Sequence, residues 1–313
     1  MNKIGAFFKL VRWPNLIITA LMMCLVYHCV MHFDSSMPFT LLVISMVLVQ
    51  AGGYVINDIF DKDIDMVNKP DKVIVGKIFT EKQCNVFYIV LSIIGLGCAL
   101  AASLSALGKQ FVTIMAYMML LVCVLYSYSR TYKRKLIVGN LIVSLSVAFA
   151  VFVPWLFEMI YVSRHELLLI TLKPLMRISL RIVLIYTAFA FLTTLIREIV
   201  KDMEDVAGDE RSNCRTIPIA WGMKAAHIIV IILSLITVGV IWGAAGYFEG
   251  LGFKITYYML YYASGLMVLM VFVNNLMSLI TNKPLRKERQ FRMQSMWLKI
   301  SMLVGVLSMF FIK

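Results

Sequence analysis

Charge is scarce in this chain. Only 15% of its 313 residues are Asp, Glu, Lys or Arg, and 61% are hydrophobic. A soluble domain carries about a quarter charged residues, so a soluble globular protein is excluded. Acidic residues are the scarcer sign, at 17 against 30 basic ones, a formal balance of +13. The six cysteines are scattered through apolar segments, with neither disulfide-framework nor metal-ligand spacing. They read as small polarizable core residues. The four histidines form no cluster; His28 and His32 share a helical face but have no carboxylate partner. No small-residue cleavage site follows the first apolar run, which is long enough to span a bilayer rather than serve as a cleaved signal.

What the chain has in quantity is long apolar runs. Several exceed the length needed to cross a hydrocarbon core, and they raise the mean hydropathy of the whole chain to +0.86. In lipid every backbone polar group needs an internal partner, and runs of this length read as helices rather than short alternating strands. The expectation is an all-α, polytopic membrane protein, one domain over 1–313, with nine transmembrane helices in a single bundle. The spans are Pro14–His32, Pro38–Phe60, Gln83–Leu107, Gln110–Tyr128, Leu136–Val162, Leu175–Ile199, Ala225–Tyr247, Ile255–Leu279 and Phe291–Phe311. With the N-terminus cytoplasmic, 22 of the 30 lysines and arginines fall in cytoplasmic segments. This is the positive-inside bias. It accounts for the basic balance without nucleic acid and predicts an integral, multi-pass protein of the cytoplasmic membrane.

The few carboxylates are concentrated. Asp58, Asp61 and Asp65 are spaced i, i+3, i+7 at the end of the second span, a spacing that places them on one helical face, with Asn57 close to Asp61. Asp202, Asp205 and Asp209 repeat the spacing at the end of the sixth. Both ends fall on the cytoplasmic side, where the two faces are expected to meet in an active-site cavity. Asp63 and Glu204 lie off the shared faces and are expected to be solvated or paired with Lys62 and Lys201. Carboxylates at the edge of a membrane are costly unless paired, solvated or metal-bound. Converging oxygen ligands favour Mg²⁺, Mn²⁺ or Ca²⁺ over zinc. Lys72, Arg215, Lys133 and Arg134 stand nearby on the same side. Carboxylate, Mg²⁺ and diphosphate, with lysine and arginine on the remaining oxygens, form one consistent site.

The run Asn57-Asp58-x-x-Asp61-x-x-x-Asp65-x-x-Asn68-x-Pro70 resembles the first signature of the UbiA superfamily of intramembrane prenyltransferases. Asp202-x-x-Asp205-x-x-x-Asp209, followed by Arg215-Thr216, resembles the second. Arg12-Trp13-Pro14-Asn15, Tyr126-Ser127, Lys133-Arg134 and Gly139-Asn140 agree with it. The resemblance implies Mg²⁺-dependent transfer of a polyprenyl group from its diphosphate to an acceptor, inside a bundle that shelters an allylic cation from water. It implies metal ligation by Asn57, Asp58, Asp61, Asp65, Asp202, Asp205 and Asp209, with Asp58, Asp61, Asp202 and Asp205 central to catalysis. Substrate contacts are implied for Asn15, Asn68, Lys72, Lys133, Arg134 and Arg215. Two positions depart from the family pattern: Pro70-Asp71-Lys72 where Arg-Pro often follows the proline, and Asn213 where glycine is common.

The stretch Arg197–Asp209 is most like that of digeranylgeranylglyceryl phosphate synthases and their bacterial relatives. This implies a geranylgeranyl donor, a prenylglyceryl phosphate hydroxyl as acceptor and an ether product. Arg197 and Lys201, at i and i+4, are candidates for the acceptor phosphate. An aromatic acceptor of quinone biosynthesis, or a porphyrin or chlorin, is the alternative. A transporter for a cation or phosphate ester is the alternative outside enzymes. Glu158 is expected to have an interfacial structural role.

Overall fold

The computed structural model describes residues 2–31, 36–68, 70–281 and 288–312, without the side chains of Asn68, Lys72 and Glu288. His32, and Lys69, Lys283, Arg286 and Lys287 of the charge count, therefore lie outside the described residues. The helices are α1 (Lys3–Leu10), α2 (Trp13–Leu25), α3 (Met37–Phe60), α4 (Lys62–Asn68), α5 (Glu81–Leu107) and α6 (Phe111–Arg130). They continue with α7 (Val138–Ser163), α8 (Glu166–Arg211), α9 (Ile217–Ala220), α10 (Gly222–Glu249), α11 (Ile255–Ile280) and α12 (Glu288–Ser308). A helix satisfies its own backbone, which is the solution a bilayer requires.

Among the described residues eight helical stretches are long and apolar enough to cross a membrane, against nine predicted spans. The difference lies in the stretch Glu81–Arg130, which joins two predicted spans, α5 and α6, through a short helical turn. Its break is the turn Gly108–Gln110, where Gly108 takes φ +50°. Arg164 lies over that turn and donates to the Ala106 carbonyl at 2.7 Å. The positive φ is what requires glycine here; a Cβ would also meet the Arg164 guanidinium at 2.7 Å, a contact the flexible arginine could move to relieve. The larger correction concerns the sixth span. The predicted 175–199 is the middle of α8, a 46-residue helix that continues beyond it at both ends. Pro174 does not break it.

The helices form two compact units, Met1–Lys133 with Val153–Ser179, and Arg134–Phe152 with Leu180–Lys313. In the first, α3 packs along α5 and α6, with α2 against α3. Small residues permit the close approach: Gly95 of α5 sits where a Cβ would lie 2.9 Å from Val49 and 3.3 Å from the Ser45 carbonyl. In the second, α10, α11 and α12 pack in sequence around Val230, Val268, Val271 and Leu298. The six cysteines are free thiols, with Cys84 and Cys214 buried.

Glu158 is buried and accepts a hydrogen bond from the Tyr27 hydroxyl at 3.1 Å. Tyr27 lies in a π-helical turn, Val26–Val30, and stacks on Phe39 at 3.7 Å. Both residues belong to the first unit.

Candidate functional site

The first acidic motif straddles a helix end. α3 stops at Phe60, so Asp61 is its cap and Asp65 belongs to α4. The expected single helical face is thus divided between two helices. The i→i−4 bonding nevertheless runs through the break: Asp61 N–H donates to Asn57 O at 2.9 Å and Asp65 N–H to Asp61 O at 2.8 Å. The residues keep their common side.

Carboxylates at a helix C-terminus face the negative end of its dipole. Two cations offset this. Arg12 Nη2 donates to Asp58 Oδ1 at 2.7 Å, and Lys133 Nζ donates to Asp61 Oδ2. Asn57 Nδ2 donates to the same Asp61 oxygen at 2.5 Å. Asp61 is buried and Asp58 partly so. Burial works against the charge of Lys133, but Asp61 and Tyr128 outweigh it and hold the ammonium above its usual range. Arg12 is likewise raised: burial opposes its charge, and Asp58 and Tyr54 overcome it.

Arg12 was not singled out as a site residue from sequence. It lies in the left-handed region at φ +53° between α1 and α2, a conformation that non-glycine residues seldom adopt. Its guanidinium carbon lies 4.9 Å from the Tyr54 ring centre. Asn15 Nδ2 donates to the Tyr54 hydroxyl at 3.3 Å, so the expected polar role of Asn15 has a partner one turn before Asp58. Tyr54 and Asp58 are i, i+4 on α3, a signal present in the sequence; Arg12 belongs to a stretch that shares the family resemblance, but no local spacing pairs it with Asp58.

The loop after α4 holds the remaining residues of the first motif. Asn68 ends α4, and Lys72 lies in the turn Pro70–Lys72. The side chains of both lie outside the described residues. Lys62 pairs with Glu81 at 2.7 Å rather than with Asp63.

In the second unit all three aspartates lie within α8, as the spacing predicts. Asp209 is buried, and Asp202 and Asp205 are partly buried. Asn140, near the start of α7, donates to Asp202 Oδ2 at 2.8 Å and is itself buried. The residue before α7, Ile137, takes φ +64°, a rare conformation for a β-branched side chain. The off-face pairings differ from expectation. Lys201 bonds Glu198 at 2.8 Å, Arg197 bonds Glu198 at 3.1 Å, and Glu204 takes Arg292 at 3.3 Å. The two candidate acceptor-phosphate cations therefore share one buried carboxylate.

α8 ends in a Schellman turn. Cys214 N–H donates to Asp209 O at 2.9 Å, and Asn213 N–H to Glu210 O at 3.2 Å. Asn213 carries the left-handed φ of +55°. Asparagine is the next best residue to glycine there, which accounts for its departure from the family pattern. Beyond the turn, Arg215 N–H donates to Arg134 O at 3.0 Å. One main-chain bond thus brings together two expected phosphate ligands, both with exposed side chains.

The donor chemistry is hard oxygen throughout. Among the described residues no group of three or more His, Cys, Asp or Glu side chains lies close enough to hold an ion by itself. Carboxylates offered singly or in pairs match Mg²⁺, which takes one or two from protein and completes its shell with water and phosphate.

Among the described residues the protein is a set of membrane-length helices carrying two aspartate motifs, each accompanied by basic side chains, which is the class of an integral membrane protein with sites suited to divalent cations and phosphate. The chain belongs to the UbiA prenyltransferase family, whose model matches residues 15–300. It is therefore a prenyltransferase and an integral, multi-pass membrane protein, and the transporter alternative falls away. It is 29% identical over 255 residues to the digeranylgeranylglyceryl phosphate synthase of Sulfolobus acidocaldarius, covering 81% of this chain and 82% of that protein. A solved structure of digeranylgeranylglyceryl phosphate synthase shares the fold at a TM-score of 0.63 and 23% identity, over 99% of this chain and 98% of the other. A UbiA homolog from Archaeoglobus fulgidus bound to GPP and Mg²⁺ shares it at 0.52 and 16%, over 96% and 99%.

Proposed function

We propose that this prenyltransferase moves a geranylgeranyl group from its diphosphate to a hydroxyl of a prenylglyceryl phosphate, forming an ether. The observation that carries the reading is the similarity, at 29% identity over four-fifths of both chains, to a digeranylgeranylglyceryl phosphate synthase. The Mg²⁺ requirement is supported by the all-oxygen donor sets and by the Mg²⁺ and GPP bound to the Archaeoglobus fulgidus homolog. Asn57, Asp58, Asp61 and Asp65 are the ligands in the first unit, and Asp202, Asp205 and Asp209 those in the second. Bound Mg²⁺ supplies Lewis-acid stabilisation of the departing diphosphate.

The chain's own residues do the rest. Arg12 and Asn140 orient the Asp58 and Asp202 carboxylates. Lys133 neutralises Asp61; the candidate cations for diphosphate oxygens are Lys72 and Lys133 in the first unit and, separately, Arg134 and Arg215 in the second. The apolar helices exclude water from the allylic carbon as its bond to oxygen breaks. The acceptor hydroxyl forms the new carbon–oxygen bond and gives up its proton.

The test uses purified protein with Mg²⁺, geranylgeranyl diphosphate and a panel of acceptors. The products are read by mass spectrometry and by pyrophosphate release. An ether on the glyceryl phosphate acceptor, abolished by chelation and restored by Mg²⁺, is expected. Prenylation of aromatic acceptors alone would replace this reading with the quinone-type one.

A further inference from the structure

Within the first unit, α1 has two apolar faces, and only one of them is covered. Ala6 and Leu10 are buried in a core with Ala51 and Val55 of α3, Ile74 and Phe79 of the following loop, and Cys84 of α5. Phe7 packs edge-on against Phe87 of α5, with ring centres 5.3 Å apart. On the other side Ile4 and Phe8, one turn apart, are 70% and 52% exposed. Successive helical residues are about 100° apart, so Lys3, before Ile4, and Lys9, after Phe8, flank this ridge on its two sides. Both lysines are exposed, and among the described residues neither is ion-paired. Arg12, by contrast, is committed to Asp58.

The ends of α1 separate it from the span that follows. The left-handed Arg12 stops the helix and turns the chain before α2. At the other end the Asn2 side chain accepts from Gly5 N–H at 2.8 Å, so α1 starts on a satisfied cap. Its eight residues extend about 12 Å, far short of a hydrocarbon core of about 30 Å. Its packing partners set its depth. α3 has 24 residues, about 36 Å, so its last turns reach the headgroup zone. Val55 stands in those turns, five residues before Phe60, and Cys84 and Phe87 stand in the first two turns of α5. Trp13, which opens α2, is 49% exposed. Tryptophan concentrates at the membrane–water boundary. A short capped helix at that depth, with an apolar ridge between lysines, has the make-up of an interfacial helix.

We propose that α1 is a docking surface for anionic phospholipids of the adjoining leaflet. Ile4 and Phe8 enter the acyl boundary, while Lys3 and Lys9 lay their stems along it and bring their ammonium groups to lipid phosphates. Charge decides the occupant: α1 has two unpaired cations and no acidic residue. A phosphate in solution would meet the lysines but leave the ridge in water; a phospholipid satisfies both.

The test is amide hydrogen exchange of α1 in the full chain. The protein is reconstituted in vesicles of phosphatidylcholine alone and of an equimolar mixture of phosphatidylcholine and phosphatidylglycerol. No prenylglyceryl phosphate is added, so the result is independent of the acceptor the enzyme takes. Exchange in α1 should be at least about fivefold slower in the anionic vesicles. K3Q/K9Q should exchange alike in both, while the charge-keeping K3R/K9R variant retains the difference. I4S/F8S should speed exchange in both vesicles, and added salt should narrow the difference seen with wild type. Slow exchange of wild type that is equal in the two vesicles would assign the ridge to a second copy or to uncharged lipid, and would overturn the proposal. Equal fast exchange, or an undiminished difference in K3Q/K9Q, overturns it as well.

Discussion

At the scale of single residues, the candidate site is a set of carboxylates, each held by something the chain provides. Asp61→Ala removes a ligand at the end of α3, and Asp205→Ala one from the middle of the second motif. Each is expected to lower Mg²⁺-dependent turnover by about a hundredfold or more while the protein still inserts in the membrane. Asp63→Ala should lie within a few fold of wild type, because Asp63 is exposed and off the shared side. Near-wild-type turnover in the Asp61 or Asp205 variant would remove that residue from the metal site. Asn140→Ala tests a support rather than a ligand. It should raise the Mg²⁺ concentration for half-maximal rate by about tenfold, with rescue by Asn140→Gln being partial at best. An unchanged Mg²⁺ dependence would make the Asn140–Asp202 bond merely structural. The aspartates were legible because i, i+3, i+7 is a local pattern. The Arg12–Asp58 and Arg292–Glu204 pairs were not, because they join positions 46 and 88 residues apart, and no local pattern ranks the possible partners.

At the scale of elements, apolar periodicity and length locate the helices, but not where they stop. The apolar run within α8 predicts a span of bilayer length, whereas polar residues at both of its ends continue the same helix. A sequence rule that equates span with hydrophobic run cannot see this, since a helix leaving the membrane needs no apolar residues. The C-terminal stop is clearer. Asn213 occupies a left-handed cap, so its substitutions have a definite order. Asn213→Gly should be neutral or slightly stabilising, and Asn213→Val should cost about 1–2 kcal/mol. Thermal unfolding in a fixed detergent reads both, and a valine variant as stable as wild type would contradict the cap. The same comparison explains why a family pattern with glycine at this position tolerates asparagine: the constraint is backbone conformation rather than size.

At the scale of the whole molecule, composition sufficed for the class. A chain with 15% charge and repeated apolar runs has few other ways to fold. Orientation rests on the charge bias alone, and predicts a cytoplasmic N-terminus with the C-terminus outside. A reporter fluorescent only in the cytoplasm should be bright when fused before Met1 and dark when fused after Lys313. The reverse result would invert the topology. The compact units are not two contiguous halves, since the chain passes from one to the other within α7 and within α8.

That interleaving has a consequence for how the protein is made. The first unit includes Val153–Ser179, so it is incomplete until the chain has been delivered to that point. Its Tyr27–Glu158 contact joins residues 131 positions apart. Early helices must therefore wait in the bilayer, with polar groups unmatched, while the first stretch of the second unit is inserted ahead of their partners. Chains arrested just before Val153 should be markedly more protease-sensitive in α2 and α3 than chains arrested after α8. Equal protection of the two would mean that the first unit assembles without its late segment.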